Sequence, residues 1–201
     1  MTPFRRLTAI LLPALALAIP AGEFSFAAAA RADSSATAEP DFKRGDLVVR
    51  RGNGFWSDWF RKVSTREKRF SHVGVVTSVT GAVLIVHAEA DDLTGIGKVR
   101  AEPWPSFRAD SREFAVYRHV GGAALRERIA AGVEQRLGVP FDSGFDLAET
   151  NRLYCSELVA LAVNDAVGSN LVGVTEWNGR EVIAIDDLYR RDFFKVFDSR
   201  E

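Results

Sequence analysis

The sequence is poor in the residues that carry nucleophilic and metal chemistry, with one cysteine and three histidines among 201 residues. One cysteine cannot form an internal disulfide, so its thiol is an inert core residue, a link to another chain, or a reactive group. The spacings HExxH and CxxC, typical of zinc sites, do not occur in the sequence. A net charge of −1 excludes the basic excess of nucleic-acid-binding proteins, so no nucleic-acid partner is expected.

Residues 1–32 are typical of a signal peptide. Arg5 and Arg6 form a positive start, positions 7–21 are mostly apolar, and "ARA" at positions 30–32 is a typical cleavage site. Because the apolar run is too short to span a bilayer, we expect a secreted or periplasmic protein whose mature form has no transmembrane segment. A retained N-terminal anchor is the alternative.

The rest of the chain is predicted to be a linker and one domain. Small polar residues at 33–41 predict the linker, and positions 42–201 suffice for one compact domain with its own core. Runs rich in Val, Ile and Phe, bounded by Gly and Pro, predict four strands at 45–52, 71–79, 82–90 and 113–120.

Two helices are predicted downstream of these strands. Positions 123–138 carry apolar residues spaced four apart, which predicts an amphipathic helix that ends at Gly138. Positions 155–168 are apolar on most sides, which predicts a buried helix that ends near Gly168. Positions 181–198 predict a strand, a turn of helix and a strand. This order of elements predicts an α+β domain with an antiparallel sheet and a central helix.

Cys155 lies at the predicted start of the buried helix. A cysteine in a first helical turn faces the positive end of the helix dipole, which lowers its pKa and favours the nucleophilic thiolate. Backbone N–H groups at the same helix end can also bind an oxyanion. The alternative is that Cys155 is a small buried hydrophobic residue.

A thiolate needs a base, and a predicted hairpin places two histidines on one face of the sheet. With a tight turn at positions 80–81, Gly74 pairs with His87 and His72 pairs with Glu89. Directly opposed residues share a face, so all four project the same way. A two- or four-residue loop preserves this arrangement, whereas a three-residue loop would break it.

His72 is therefore a candidate base, with His87 or Glu89 as its orienting partner. If the helix of Cys155 packs on the same face, thiol, imidazole and third polar group meet as in nucleophilic cysteine catalysis. Two alternatives stay open at this point. The histidines can be half-buried strand residues, or His72, His87 and Glu89 can hold zinc with Cys155 as a fourth ligand.

Three other residues carry weaker signals. His119 is interpreted as a surface residue at a strand end, with no role in the site. Trp56 and Trp59 are candidates to line a cleft, with packing as the alternative interpretation.

Six segments resemble one known family. They occur in the order "GDLVV", "FSHVGVV", "VHAEA", "GVPFDSGFD", "YCSELV" and "IAIDDLYRRDFFKVF". Together they resemble the permuted papain-like amidases of the YiiX/YebB type, a branch of the NlpC-like superfamily, over nearly all of positions 42–198. In this branch the histidine precedes the cysteine, as in lecithin:retinol acyltransferase, and here His72 precedes Cys155 by 83 residues. The most specific segments are "SHVG" and "YCSEL" taken together.

The resemblance implies a circularly permuted papain-like fold, with an antiparallel sheet packed on a central catalytic helix. It implies Cys155 as nucleophile, His72 as general base and His87 at the third polar position. Members of the family often carry glutamate there and the acyltransferase relatives carry histidine, so Glu89 stays a candidate. Glu89 and Tyr154 are expected to help bind substrate or shape the site.

The implied activity is acyl transfer without a metal or organic cofactor. The expected substrate is a small peptide or acyl compound, either a peptide amide of peptidoglycan or an acyl ester or amide of a membrane lipid. A lipid acyltransferase and a non-catalytic binding module on the same fold are the alternatives, since a fold does not fix a substrate.

Overall fold

The structure, a computed structural model, describes residues 39–53 and 55–201, without the side chains of Phe55 and Trp56. The predicted signal peptide and positions 33–38 of the predicted linker lie outside the described residues. No helix in the described part of the chain is long and apolar enough to cross a membrane. The carboxylate of Glu39 accepts a hydrogen bond from the indole of Trp104 at 2.9 Å, so the end of the predicted linker is attached to the domain.

The main layer is a six-stranded antiparallel sheet. Its strands, in chain order, are β1 (Leu47–Gly52), β2 (His72–Ser78), β3 (Leu84–Ala90), β4 (Gly97–Pro103), β5 (Ser111–His119) and β8 (Phe193–Asp198). Across the sheet they lie in the order β4-β3-β2-β1-β5-β8. A separate two-stranded ribbon consists of β6 (Thr175–Trp177) and β7 (Arg180–Val182).

Helices cover both faces of this sheet. They are α1 (Phe55–Val63), α2 (Trp104–Ala109), α3 (Gly122–Glu134) and α4 (Cys155–Val167), followed by a 3₁₀ turn at Ile185–Asp187. Helices α3 and α4 pack against each other so closely that a Cβ on Gly132 would lie 3.1 Å from the Cβ of Ala162. A larger residue than glycine would therefore push the two helices apart.

Strand β2 separates two hydrophobic cores because its side chains alternate between the two faces. Val73 and Val75 belong to the larger core, together with Leu158 of α4. Val76 belongs to the smaller core on the opposite face, together with Phe107 of α2. The condition stated above, that the helix of Cys155 packs on the histidine face, is therefore not met, since α4 packs on the other face.

Most of the predicted elements are present. The four predicted strands correspond to β1, β2, β3 and β5 with ends within two residues, and the C-terminal strand, turn and strand are β7, the 3₁₀ turn and β8. Gly168 ends α4 with a φ of 72°, as predicted. Helix α3 ends at Glu134, four residues early, and Leu137 is 47% exposed because the last turn leaves the core. The strands β4 and β6 and the helices α1 and α2 were not predicted.

The helix α4 offers a test of the core. Leu158→Ala removes a side chain that is 0% exposed, and we expect it to lower the free energy of unfolding by about 2–5 kcal/mol through the cavity it leaves. The matched control is Leu161→Ala in the same helix, where the side chain is 36% exposed and the expected loss is below about 1 kcal/mol. Urea unfolding followed by circular dichroism measures both. Equal losses would contradict the described orientation of α4.

Candidate active site

A cavity of about 760 Å³ opens beside the start of α4 and is lined by both His72 and Cys155. Aromatic side chains form part of its wall, namely Phe60, Phe141 and Phe145. Another part of the wall is charged, with Arg50, Lys98, Arg100, Glu89, Asp91 and Asp110. The cavity therefore brings the candidate nucleophile and the candidate base to one space large enough for a small ligand.

The register of β2 and β3 places the two histidines on the same face. Val75 pairs with Val86, and this register continues to place Gly74 opposite His87. A Cβ on Gly74 would lie 3.2 Å from the Cβ of His87, which confirms the close approach. The predicted facing of Gly74 and His87 is thus correct, although the predicted two-residue turn is not.

The connection is a five-residue loop, positions 79–83, and a β-bulge corrects its odd length. Ser78 pairs with Leu84, but the next pair is Val76 with Ile85, so one residue of β2 is left over. Without the bulge, the loop would place His72 and His87 on opposite faces. The extra residue is Thr77, and it restores the register on which the site depends.

The two histidines form a hydrogen-bonded pair. His72 Nε2 and His87 Nδ1 lie 2.8 Å apart, and the rings meet edge to face. His87 is 0% exposed, whereas His72 is partly buried at the cavity. Burial first, and then the positive charge of Arg50, hold the pKa of His72 well below its usual value. His72 is therefore neutral at physiological pH and has a nitrogen available to accept a proton.

Behind His87 lies a carboxylate, that of Glu102, which was not predicted from the sequence. His87 Nε2 is 3.2 Å from Glu102 Oε2, and this contact is the largest cause that lowers the pKa of Glu102. Glu102 belongs to β4, in which Lys98, Arg100 and Glu102 alternate with apolar Val99 and Ala101. That alternation is the signal that could have predicted the strand.

Glu89 has other partners. Its carboxylate is paired with Arg50 and with Arg100, the latter at 2.6 Å, and it lies 3.9 Å from His87 Nδ1. Because that nitrogen is already bonded to His72, Glu89 does not orient the histidine pair. It lines the cavity and remains a predicted substrate-binding residue.

Cys155 is the first residue of α4 and lies beside Val73 at the start of β2. Backbone N–H groups of Val73, Ser156 and Cys155 itself are directed at the thiol and lower its pKa, as expected for a helix start. The thiol is 2% exposed, however, and this burial raises the pKa of Cys155 to about 11. The expectation of a depressed pKa is therefore wrong for the resting protein, because desolvation of the thiolate outweighs the helix end.

Tyr154 is a predicted site residue that does not line the cavity. It is 0% exposed, and its hydroxyl accepts a hydrogen bond from the backbone N–H of Ile183 at 2.8 Å. Glu157 accepts a weaker bond, at 3.4 Å, from the backbone N–H of Tyr154. These contacts fix the start of α4, so Tyr154 supports the position of Cys155 from behind.

The remaining predictions concern residues outside the cavity. His119 is buried and packs on Phe193, which corrects its interpretation as a surface residue. Trp59 packs against Phe145, at 5.3 Å between ring centroids, and so stands behind an aromatic residue of the wall. The side chain of Trp56 lies outside the described residues.

An antiparallel sheet that carries histidine, followed by a central helix that begins at cysteine, defines the permuted papain-like class of proteins. The profile of the permuted papain-like amidase enzymes, YaeF/YiiX, C92 family, matches residues 41–181, and the chain belongs to this family. Both the resemblance and the predicted fold class are confirmed. Membership supports a cysteine hydrolase-type activity.

A solved structure has the same fold. It is described as the crystal structure of metalloprotein yiiX from Escherichia coli O157:H7, DUF1105, and it aligns with a TM-score of 0.64 at 18% sequence identity. The alignment covers 77% of this chain and 96% of that one. Comparison with curated proteins finds no match.

The buried thiol leads to a pH-dependence test. Because the pKa of Cys155 is raised to about 11, iodoacetamide should modify the folded protein slowly at about pH 7, with a rate that rises into the alkaline range. Intact-mass spectrometry over a pH series measures the rate. The control is the same protein in urea, where the thiol should react as an ordinary cysteine. A folded-state rate that reaches its plateau below about pH 7 would contradict the raised pKa.

Proposed function

We propose that the protein is a secreted cysteine hydrolase that cleaves an amide or ester bond through an acyl-enzyme on Cys155. The observation that carries the proposal is the orientation of His72 at the cavity. Its Nε2 is bonded to His87, while the residue itself lines the same cavity as Cys155. Nδ1 of His72 is thus the nitrogen left to take a proton from the thiol.

The proposed reaction starts from a neutral thiol and a neutral imidazole. As the sulfur of Cys155 attacks the substrate carbonyl carbon, the thiol proton moves to Nδ1 of His72 and a C–S bond forms. His72 returns this proton to the leaving nitrogen or oxygen as its bond to the carbonyl carbon breaks, which leaves a thioester. Water, deprotonated by His72, then attacks the carbonyl carbon of the thioester. As the C–S bond breaks, His72 returns this proton to the sulfur, and the acid and the free thiol are released.

The backbone around Cys155 supports this mechanism. The N–H groups of Val73 and Ser156 converge on the thiol, so they are placed to donate to negative charge that develops there and on the adjoining carbonyl oxygen. The raised pKa of Cys155 is compatible with proton transfer during attack rather than before it.

The charged wall of the cavity favours a peptide amide as substrate. Arg50 and Arg100 lie beside Glu89, and Lys98 and Asp91 follow toward the tip of the β3–β4 hairpin. Groups of both signs in one wall suit a substrate that carries amides and both charges, such as a peptidoglycan stem peptide.

The apolar features of the cavity favour a second candidate, an acyl ester or amide of a lipid. Phe60, Phe141 and Phe145 form an aromatic wall, and Ile96 at the rim is 77% exposed. Leu93, in the same hairpin tip, is 96% exposed. Hydrolysis of peptidoglycan fragments and of phospholipid vesicles, each compared with Cys155→Ala, separates the two candidates.

Export to the periplasm or beyond is part of the proposal and is supported by the pattern of residues 1–32. The mass of the protein recovered after export tests it, since cleavage after Ala32 removes those residues.

Esterase activity tests the roles of the two proposed catalytic residues. With p-nitrophenyl butyrate as the probe, we expect Cys155→Ala to reduce hydrolysis to the background, and His72→Asn to lower kcat by about 100-fold or more because the base is lost. The matched control is His119→Asn, which changes a buried histidine outside the cavity and keeps a hydrogen-bond acceptor for the N–H of Gly121. It should retain activity.

Two results would contradict the proposal. Full activity in Cys155→Ala would exclude the thiol as nucleophile. A wild-type protein that binds peptide or lipid but hydrolyses none of the probes would indicate a binding module instead.

The same side chains include a group of potential metal ligands. Donor atoms of His72, His87 and Glu89 lie within 4.8 Å of one another. They do not fit a resident cation, because the histidine nitrogens are bonded to each other at 2.8 Å and Glu89 is already paired with Arg50 and Arg100. The two guanidinium groups would repel a cation at this position. The proposed reaction therefore has no step through a metal.

Removal and addition of metal test the conclusion that these residues hold no resident cation. We expect prolonged dialysis against EDTA to leave the hydrolysis of p-nitrophenyl butyrate unchanged, and native mass spectrometry with added zinc to show no stoichiometric ion held by His72 and Cys155. A bound ion that is lost in His72→Asn but kept in His119→Asn would establish a metal site instead.

A further inference from the structure

The histidine pair ends at a carboxylate that is separated from the cavity. His72 lines the cavity, and His87 and then Glu102 lie behind it. Within the described part of the chain, His87 Nε2 and Glu102 Oε2 are buried atoms that form no hydrogen bond of regular geometry, with each other or elsewhere, yet they lie 3.2 Å apart. Two such atoms are each satisfied only if a proton lies between them.

The charge of Glu102 decides which atom carries that proton. Its other oxygen, Oε1, lies 3.4 Å from the guanidinium of Arg100, and the pKa of the carboxyl group is lowered, so it is ionised and can only accept. His87 must then carry its proton on Nε2. For a neutral imidazole, this leaves Nδ1 of His87 as an acceptor.

The position of the proton on His87 also determines the tautomer of His72. Since Nδ1 of His87 accepts, the 2.8 Å hydrogen bond to His72 must be donated by Nε2–H of His72. The neutral imidazole of His72 then has its lone pair on Nδ1. That nitrogen is the one that the proposed mechanism needs as base.

We propose that Glu102 is a positioning residue that acts through His87 to fix the tautomer of His72, so that Nδ1 of His72 is the base. This inference rests on the proposed function for its catalytic consequence. The tautomers themselves are a property of the resting protein. Glu89 cannot take this role, because its contact is with the nitrogen of His87 that already binds His72, at the longer distance of 3.9 Å.

The variant Glu102→Gln tests the proposal because it keeps the size of the side chain and inverts its hydrogen bonding. Arg100 donates toward Oε1 of residue 102, so the amide oxygen should turn to Arg100 and the amide NH₂ should face His87. Nε2 of His87 would then accept, its proton would move to Nδ1, and His72 would in turn be protonated on Nδ1. The base of the proposed mechanism would be lost.

Two readouts are expected to move. Two-bond proton–nitrogen spectra of protein labelled with nitrogen-15 histidine should show Nε2–H on both His72 and His87 in the wild type and Nδ1–H in Glu102→Gln. With p-nitrophenyl butyrate, kcat should fall by about 10–100-fold while KM changes little, since Glu102 lies outside the cavity. The matched control is Glu201→Gln, which removes the ion pair of an exposed carboxylate with Lys195 and should change neither readout.

The outcomes separate this inference from the proposed function. Unchanged tautomers in Glu102→Gln would overturn the role of Glu102. A wild-type protein with the proton of His87 on Nδ1 would overturn it too, and this second measurement does not depend on whether a variant folds. A further outcome is that the tautomers change as described in Glu102→Gln while His72→Asn leaves hydrolysis unchanged. That result would support the role of Glu102 in the resting structure and would refute only the proposed function.

Discussion

The pairing of β2 with β3 is the constraint on which the candidate site depends. Because side chains alternate along a strand, a shift of the β2–β3 register by one residue would place His72 and His87 on opposite faces of the sheet. At the observed register His72 and His87 meet at 2.8 Å, and Gly74 leaves room for the ring beside it. The hydrophobic alternation of the same strand fixes Val73 and Val75 under α4. Core packing and site geometry are therefore set by one choice of register.

The thiol of Cys155 and the imidazole of His72 meet at the start of β2, although they belong to opposite faces of the sheet. Helix α4 lies on one side of the sheet and the histidines project from the other, so they approach each other only where β2 begins. Val73 connects the strand to the helix, because its side chain packs under α4 while its backbone N–H is directed at the thiol of Cys155. Small movements at this strand end therefore change the separation of the two groups directly.

The sequence was sufficient to predict the strands with β-branched runs, the buried helix and the facing histidines, because each has a strong local pattern. Cys155 at the helix start and His72 at the strand start were found for the same reason. Glu102 was missed because β4 is mostly polar and its alternation is weak next to the Pro-flanked α2. The pKa of Cys155 could not be predicted either, since the desolvation that raises it depends on tertiary burial and not on its position in the helix.

The β-bulge at Thr77 also bears on how this hairpin can change in length. The bulge contributes one residue to β2 that has no partner in β3, while the loop at positions 79–83 contains an odd number of residues. A chain that lacked the extra residue would keep the same loop, form an uninterrupted ladder and still bring its two histidines together. A chain that instead lost one loop residue and kept the bulge would have to rebuild its turn. Single-residue deletions in this hairpin are thus not equivalent, and a relative with a shorter β2 can retain the same pair of facing imidazoles.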